Sequence, residues 1–296
     1  MENPLSLIGD IGGTHIRLAM VTASDDLMLC IKTYRCADFP HLDDALKHYL
    51  EHDALVEIQS ITALCLAVPG ATHKDTIDLP NSHWVVKRQK LLNIFKCPIF
   101  LINDFTAQAL SVSSLKDNEI KWLRDGKDQN FSGKNKHLTK LIIGPGTGFG
   151  VAGLLPDGKV IESEGGHVSF APVTDLQIEI LSVLSKIYSR VSVERLLSGP
   201  GIANIYLALQ KIQASQPASE LKENLGNMNI EKKAEEFLTA ENISALALQG
   251  NELCLKTMCE FSRILGSACG DQALSFGALG GVYLSGGILN KLGDAF

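Results

Sequence analysis

The sequence predicts a two-domain α/β fold, and three observations carry that prediction. Apolar runs alternate with stretches of helical spacing through the first third of the chain. A glycine-rich turn between two apolar runs stands at IGDIGGTHIRL, residues 8–18, and returns at LIIGPGTGFGVAGLL, residues 141–155. The interval of about 135 residues suits a duplicated domain better than a short solenoid repeat. At 296 residues the chain also exceeds the size at which one hydrophobic core usually stops growing. The expected division is a small α/β domain over 1–114 and a large one over 115–296, with a cleft between them.

Taken in order, Leu5–Ile11 and His15–Val21 read as a strand pair, the second alternating Ile16, Leu18 and Met20 with Arg17 and Ala19. Asp43–Glu51 has helical spacing. Ile61–Val68, ITALCLAV, is a nearly unbroken apolar run stopped by Pro69-Gly70 and reads as a buried strand. Lys87–Phe95 reads as a helix, Pro98–Ile102 as a short strand meeting Asn103-Asp104, and Phe105–Val112 as a further helix. The polar stretch Lys116–Lys140 marks a helix plus loop and the expected crossing between domains, near the hinge. The strand, turn and strand of 141–155 then close at Asp157-Gly158. Helices dominate from Leu176 to Leu265, including a charged segment from Glu220 to Glu241, and GGVYLSGG, Gly280–Gly287, ends the pattern.

Composition narrows the function classes. An apolar fraction of 45% with 20% charged residues is that of an ordinary globular chain, and no apolar run approaches the ~18 residues of a membrane span. Seven cysteines without a CxxC pair fit reduced thiols, which points to the cytoplasm. The N-terminus lacks a basic start and a small-residue cleavage site, so it reads as the first strand and not as a signal peptide. A net charge of −6 argues against nucleic acid or an acidic membrane as partner, since both require a basic face. Lys87, Arg88 and Lys90 form one tight basic cluster, read as a solvated helix face. A polyanionic ligand must then be captured locally.

The glycine turns offer that capture. Glycines let the main chain approach a ligand closely, and successive N–H groups form an anion-binding concavity. Asp10 would repel phosphate unless a cation lay between them, and Mg²⁺ is the ion held by one or two carboxylates plus substrate phosphates. The plain alternative is a tight turn; the recurrence at GPGTGFG and the later pair Gly280-Gly281 favour a nucleotide site. Neither a Walker A pattern nor GxGxxG before a helix occurs. In INDFTAQA, Asp104 follows an apolar strand and opens a helix, where active-site groups of α/β proteins collect and where the helix dipole favours a carboxylate able to accept a hydroxyl proton. A simple N-cap is the competing reading. EGGHVSFAP sets Glu164 and His167 around two glycines, and SVERLLSGPG adds Glu194 before a helix starting near Pro200. Carboxylates and imidazole suit sugar hydroxyls; a buried, satisfied His167 is the alternative, while no second His or Cys stands at metal-ligand spacing.

With these residues in view, the chain resembles the bacterial ATP-dependent glucokinase family, of the hexokinase and actin-like ATPase superfamily, nearly end to end. IGDIGGTHIRLA looks like its first phosphate motif, INDFTA its catalytic motif, IGPGTGFGVA its second phosphate motif, EGGHVSFAP and SVERLLSGPG its sugar segments, and GGVYLSGGI its adenosine motif. The resemblance implies a two-domain actin-like (ribonuclease H-like) fold that transfers the ATP γ-phosphate to the 6-hydroxyl of glucose. It implies Asp104 as base and Asn103, Glu164, His167 and Glu194 as glucose ligands. It further implies Gly9, Asp10, Ile11, Gly12, Gly13, Thr14, Gly144, Gly146, Thr147, Gly148, Gly280 and Gly281 around the nucleotide, with Asp10 holding Mg²⁺ through water.

The zinc segment of the related repressor and sugar-kinase group is absent, and no helix-turn-helix pattern precedes Leu5. Family members continue several dozen residues past GGI, so the resemblance carries the expectation that a chain ending at Phe296 is a shortened form. A non-catalytic sugar-binding regulator, a kinase for another hexose, a polyphosphate donor and a homodimeric assembly stay open on the sequence.

Overall fold

The computed structural model describes residues 4–22, 27–70, 72–79, 82–123, 137–215 and 239–292. The chain divides into two compact units, Met1–Gln108 and Ala109–Phe296, and each is built around its own apolar core.

The first unit holds a five-stranded sheet in the order β3-β2-β1-β4-β7, from β1 (Leu5–Ile11), β2 (His15–Thr22), β3 (Met28–Arg35), β4 (Ile61–Val68) and β7 (Ile99–Asn103). β1, β2 and β3 run antiparallel, whereas β1, β4 and β7 run parallel. β4, at the parallel centre, carries Leu64, Leu66 and Val68 fully buried, which is why its sequence hardly alternates. Each such side chain contributes about 1.5–3 kcal/mol on burial. The helices α1 (Leu42–Tyr49) and α2 (Arg88–Phe95) supply Leu46, Tyr49, Leu91 and Phe95 to the core, and α3 (Asp104–Ser111) follows β7 directly. A small ladder, β5 (Thr76–Asp78) with β6 (Val85–Lys87), completes the unit.

Two features of this unit depart from the sequence reading. β3 is an edge strand with a β-bulge, where Ala19 of β2 faces both Cys30 and Ile31 and Cys30 takes φ 53. The basic cluster is not a solvated face throughout. Arg88 donates to the carbonyls of Ile99 at 2.9 Å and Thr72 at 3.3 Å, and Lys90 pairs with the buried Asp43 at 2.6 Å. The guanidinium satisfies main-chain carbonyls that water would otherwise have to reach.

The second unit holds a four-stranded sheet in the order β10-β9-β8-β11, from β8 (Lys140–Pro145), β9 (Phe149–Leu154), β10 (Val160–Ser163) and β11 (Val282–Leu284). β8 pairs antiparallel with β9 and parallel with β11, repeating the relation of β1 to β2 and β4 and giving the internal duplication a structural form. Around it stand α4 (Asp175–Leu184), α5 (Gly199–Ser215), α6 (Ala240–Leu248), α7 (Glu252–Phe276) and α8 (Gly287–Leu292). Their starts follow side-chain chemistry. Thr174, Thr239 and Asn251 accept backbone N–H bonds from Gln177, Asn242 and Cys254 at 3.2, 3.2 and 3.0 Å. α7 stops at Gly277, whose φ of 58 is the left-handed cap.

Of the expected charged segment, 220–238 lies outside the described residues. Among the described residues, no helix is long and apolar enough to cross a membrane.

Candidate active site

In the first unit, Asp10 near the end of β1 and Gly12 and Thr14 in the turn after it are exposed, and Gly12 N–H closes the turn on the His15 carbonyl at 2.8 Å. Cys36 braces the turn from below, its N–H donating to the Thr14 carbonyl at 2.8 Å and its thiol to the Gly12 carbonyl at 3.6 Å. Gly9 and Ile11 serve the fold. Gly9 lies inside β1, where an added Cβ would fall 2.8 Å from Leu18 and Leu66, and the Ile11 side chain is 1% exposed in the core. Of the six predicted phosphate-turn residues, those two therefore contribute backbone at most.

The parallel register places Asp10 beside Ala67 and Val68 beside Asn103, so Asp10, Asn103 and Asp104 share the carboxyl edge of one sheet. With strands spaced about 4.8 Å, Asp10 and Asn103 stand two strands, roughly 10 Å, apart. The capping question is settled in favour of Asn103. Its Oδ1 accepts from Phe105 N–H at 2.8 Å and Thr106 N–H at 3.3 Å, and its amide donates to Gly70 at 3.3 Å. Asp104 opens α3 half-buried, with Oδ1 2.9 Å from Phe105 N–H.

In the second unit, Gly146 N–H donates to Gly148 at 2.8 Å, and the first N–H of α5, on Gly199, donates to Gly146 at 2.9 Å. A Cβ on Gly146 would meet nothing within 4 Å, so open space lies in front of this main chain. Gly144 is different: it lies inside β8, buried opposite Gly150. The predicted sugar residues come together next to the turn. His167 lies between two acids, with Nε2 3.7 Å from Glu164 and Nδ1 3.9 Å from Glu194. It is exposed, at 61% of its side chain, which removes the buried-histidine alternative.

The two segments expected to hold sugar are bound to each other by Val193 N–H on Val168 at 2.9 Å and Phe170 N–H on Val191 at 3.0 Å. The glycines of EGGH allow close approach to β9: an added Cβ on Gly166 would fall 2.2 Å from the Phe149 carbonyl. Glu194 reaches across to Phe149 as well, its Oε2 accepting the backbone N–H at 2.9 Å.

A cavity of about 750 Å³ opens beside Gly146 and Thr147, walled by Gly199, Ser244, Gly287 and Lys291 among others. Lys291 pairs with Glu241 at 3.1 Å on its rim. Gly280 and Gly281 do not line it. They precede β11, with Gly280 N–H on Thr139 at 2.7 Å before β8 begins, at the opposite end of the sheet from Gly146. Because β8 and β11 are parallel, the pair that reaches the turn is Gly286-Gly287, after β11; Gly286 has φ 97 and packs on the Pro145 carbonyl. SGG following an apolar strand was the available signal for it.

Among the described residues, no three His, Cys, Asp or Glu side chains gather as a metal cage. One exposed carboxylate at Asp10 beside a bare turn fits an ion that takes the rest of its ligands from phosphate and water, as Mg²⁺ does.

Comparison with known proteins agrees over nearly the whole chain. The glucokinase family model matches residues 7–296. A glucokinase of Chromohalobacter salexigens is 37% identical over 293 residues, covering 98% of this chain and 83% of that protein. The crystal structure of a glucokinase from an Antarctic psychrotroph superposes with TM-score 0.77 at 32% identity, over 98% of this chain and 85% of its own. A glucokinase of Balamuthia mandrillaris in complex with glucose shares the fold, with TM-score 0.68 at 21% identity, over 99% of this chain and 80% of its own. The actin-like α/β architecture, the duplicated glycine turns and the full-length match together make this chain a member of the glucokinase family.

Proposed function

We propose that this glucokinase places the 6-hydroxyl of glucose against the γ-phosphate of ATP and removes its proton with Asp104. Family membership makes the activity ATP-dependent phosphotransfer to glucose. The single observation that carries the catalytic assignment is the start of α3. Asn103 caps the helix and so fixes the carboxylate of the next residue at the carboxyl edge of the sheet that also bears Asp10. Asn103, Glu164, His167 and Glu194 hold the sugar. The latter three present an imidazole with an acid within 4 Å of each of its ring nitrogens, a set suited to vicinal hydroxyls.

The nucleotide takes the main chain of Gly12–Thr14 and of Gly146–Thr147 for its phosphates and the cavity beside Gly287 for its base. Asp10 would hold Mg²⁺ through water. That ion, when bound, neutralises charge on the phosphates. What remains for the protein is positioning, proton acceptance and exclusion of water as a competing acceptor. Seven unpaired cysteines support a reducing compartment, the cytoplasm, as its location.

An ADP-release assay with glucose, mannose and fructose, and with ATP or polyphosphate, tests the reading. Turnover with glucose and ATP above the other combinations is expected. Sugar binding without ADP release would instead make the chain a sugar-binding regulator.

A further inference from the structure

We propose that Gly148 is a positioning residue for the sugar, acting through Glu194, and not a phosphate ligand. The inference rests on the reading of Glu194 as a glucose ligand. An ideal Cβ on Gly148 would fall 2.6 Å from Glu194 Oε2 and 3.4 Å from its carboxyl carbon. The backbone at Gly148 is not left-handed, so conformation does not call for glycine at this position. The neighbouring carboxylate does. Gly146 gives the contrast, since a side chain there would meet nothing within 4 Å and the open space a phosphate needs lies in front of it.

The oxygen that excludes a side chain at Gly148 is the one that accepts Phe149 N–H at 2.9 Å. The other oxygen, Oε1, faces His167 Nδ1 at 3.9 Å and is the one left for a hydroxyl. Ser198 donates to the Glu194 carbonyl at 2.8 Å and fixes its main chain, so the last freedom of this acid is its side-chain torsions. Gly148 and Phe149 set those torsions. On the other side of Phe149, Gly166 packs against the carbonyl, so the start of β9 is gripped by both sugar segments.

Calorimetry of glucose binding without nucleotide, and of ADP binding without sugar, tests the proposal on Gly148→Ala, Glu194→Ala and the double variant. Because a flexible carboxylate, and no backbone, is what must yield, Gly148→Ala still folds, its melting temperature lowered only by loss of the Phe149 N–H bond to Glu194. Its glucose affinity falls roughly tenfold or more, the loss expected for a misplaced charged hydrogen bond, while ADP affinity holds. In the Glu194→Ala background the same change costs no further glucose affinity. Undiminished glucose affinity in Gly148→Ala, with Glu194→Ala impaired, overturns this proposal and leaves the sugar reading standing. Normal glucose binding by Glu194→Ala overturns both. Lost ADP affinity in Gly148→Ala with glucose binding intact returns the residue to the phosphates. The double variant, with the space vacated, folds and binds ADP like the parent; if it does not fold, the clash lies elsewhere and the proposal fails.

Discussion

The thiol of Cys36 donates to the Gly12 carbonyl across 3.6 Å while the N–H of the same residue holds the Thr14 carbonyl at 2.8 Å. One residue thus fixes both ends of the first glycine turn. Burial pushes the thiol up, so it stays protonated and remains a donor instead of presenting a thiolate to a turn proposed to bind phosphate. Replacement by alanine keeps the backbone bond and releases Gly12. A weak donor of about 1 kcal/mol sets the expected rise in KM for ATP at roughly fivefold, with glucose affinity unchanged by calorimetry.

Asp104→Asn removes the proposed base and retains the size of the side chain. Turnover in a coupled assay is expected to fall by roughly 10²- to 10⁴-fold while glucose still binds. Near-parental turnover would take Asp104 out of the proton transfer.

The two glycines after β11 separate fold from function. Gly286 has φ 97, and a Cβ there would fall 2.4 Å from the Pro145 carbonyl, so Gly286→Ala should lose about 1–3 kcal/mol or more in chemical denaturation. Gly287 has nothing within 4 Å and lines the cavity. Its alanine variant should unfold at the parental midpoint and bind ADP more weakly. Equal ADP affinity would place the base of the nucleotide elsewhere.

Cysteine labelling offers a check on packing that does not depend on activity. Cys30 and Cys259 are exposed and should react first with iodoacetamide, whereas Cys36 and Cys254 are buried. At Cys269 burial pushes the thiol up to about 11, so its reactive thiolate is scarce at neutral pH. Its labelling rate, followed by mass spectrometry, should go on climbing as pH rises toward that value. Fast labelling of Cys269 at pH near 7 would contradict the packing of α7.

Much of the fold was legible where a side-chain period and a boundary residue coincided. β1 and β4 match the strands read at Leu5–Ile11 and Ile61–Val68, and α2 begins one residue after the helix read from Lys87. β3 was not legible because the bulge at Cys30 breaks its period of two and its side chains are nearly all exposed. Arg88 was misread because its partners, the carbonyls of Ile99 and Thr72, are brought to it only by folding.

In the candidate site, the grouping of residues from separate segments is seen only in the structure. The cluster around His167 follows from EGGH and SVERLLSGPG, yet the contact of Glu194 with Phe149 spans 45 residues and leaves no local trace. Sequence likewise offered Gly280-Gly281 where the pair beside the turn is Gly286-Gly287, since only the parallel pairing of β8 and β11 fixes which end of β11 meets the turn.

The kink at Cys30 has a further effect on the free border of the first sheet. Met28, Leu29 and Ile31 are all exposed along that border, a composition that on an unbroken edge favours pairing with strands from other molecules. The bulge breaks the regular spacing of amides along that border, one of the devices by which a sheet edge is made a poorer template for another strand.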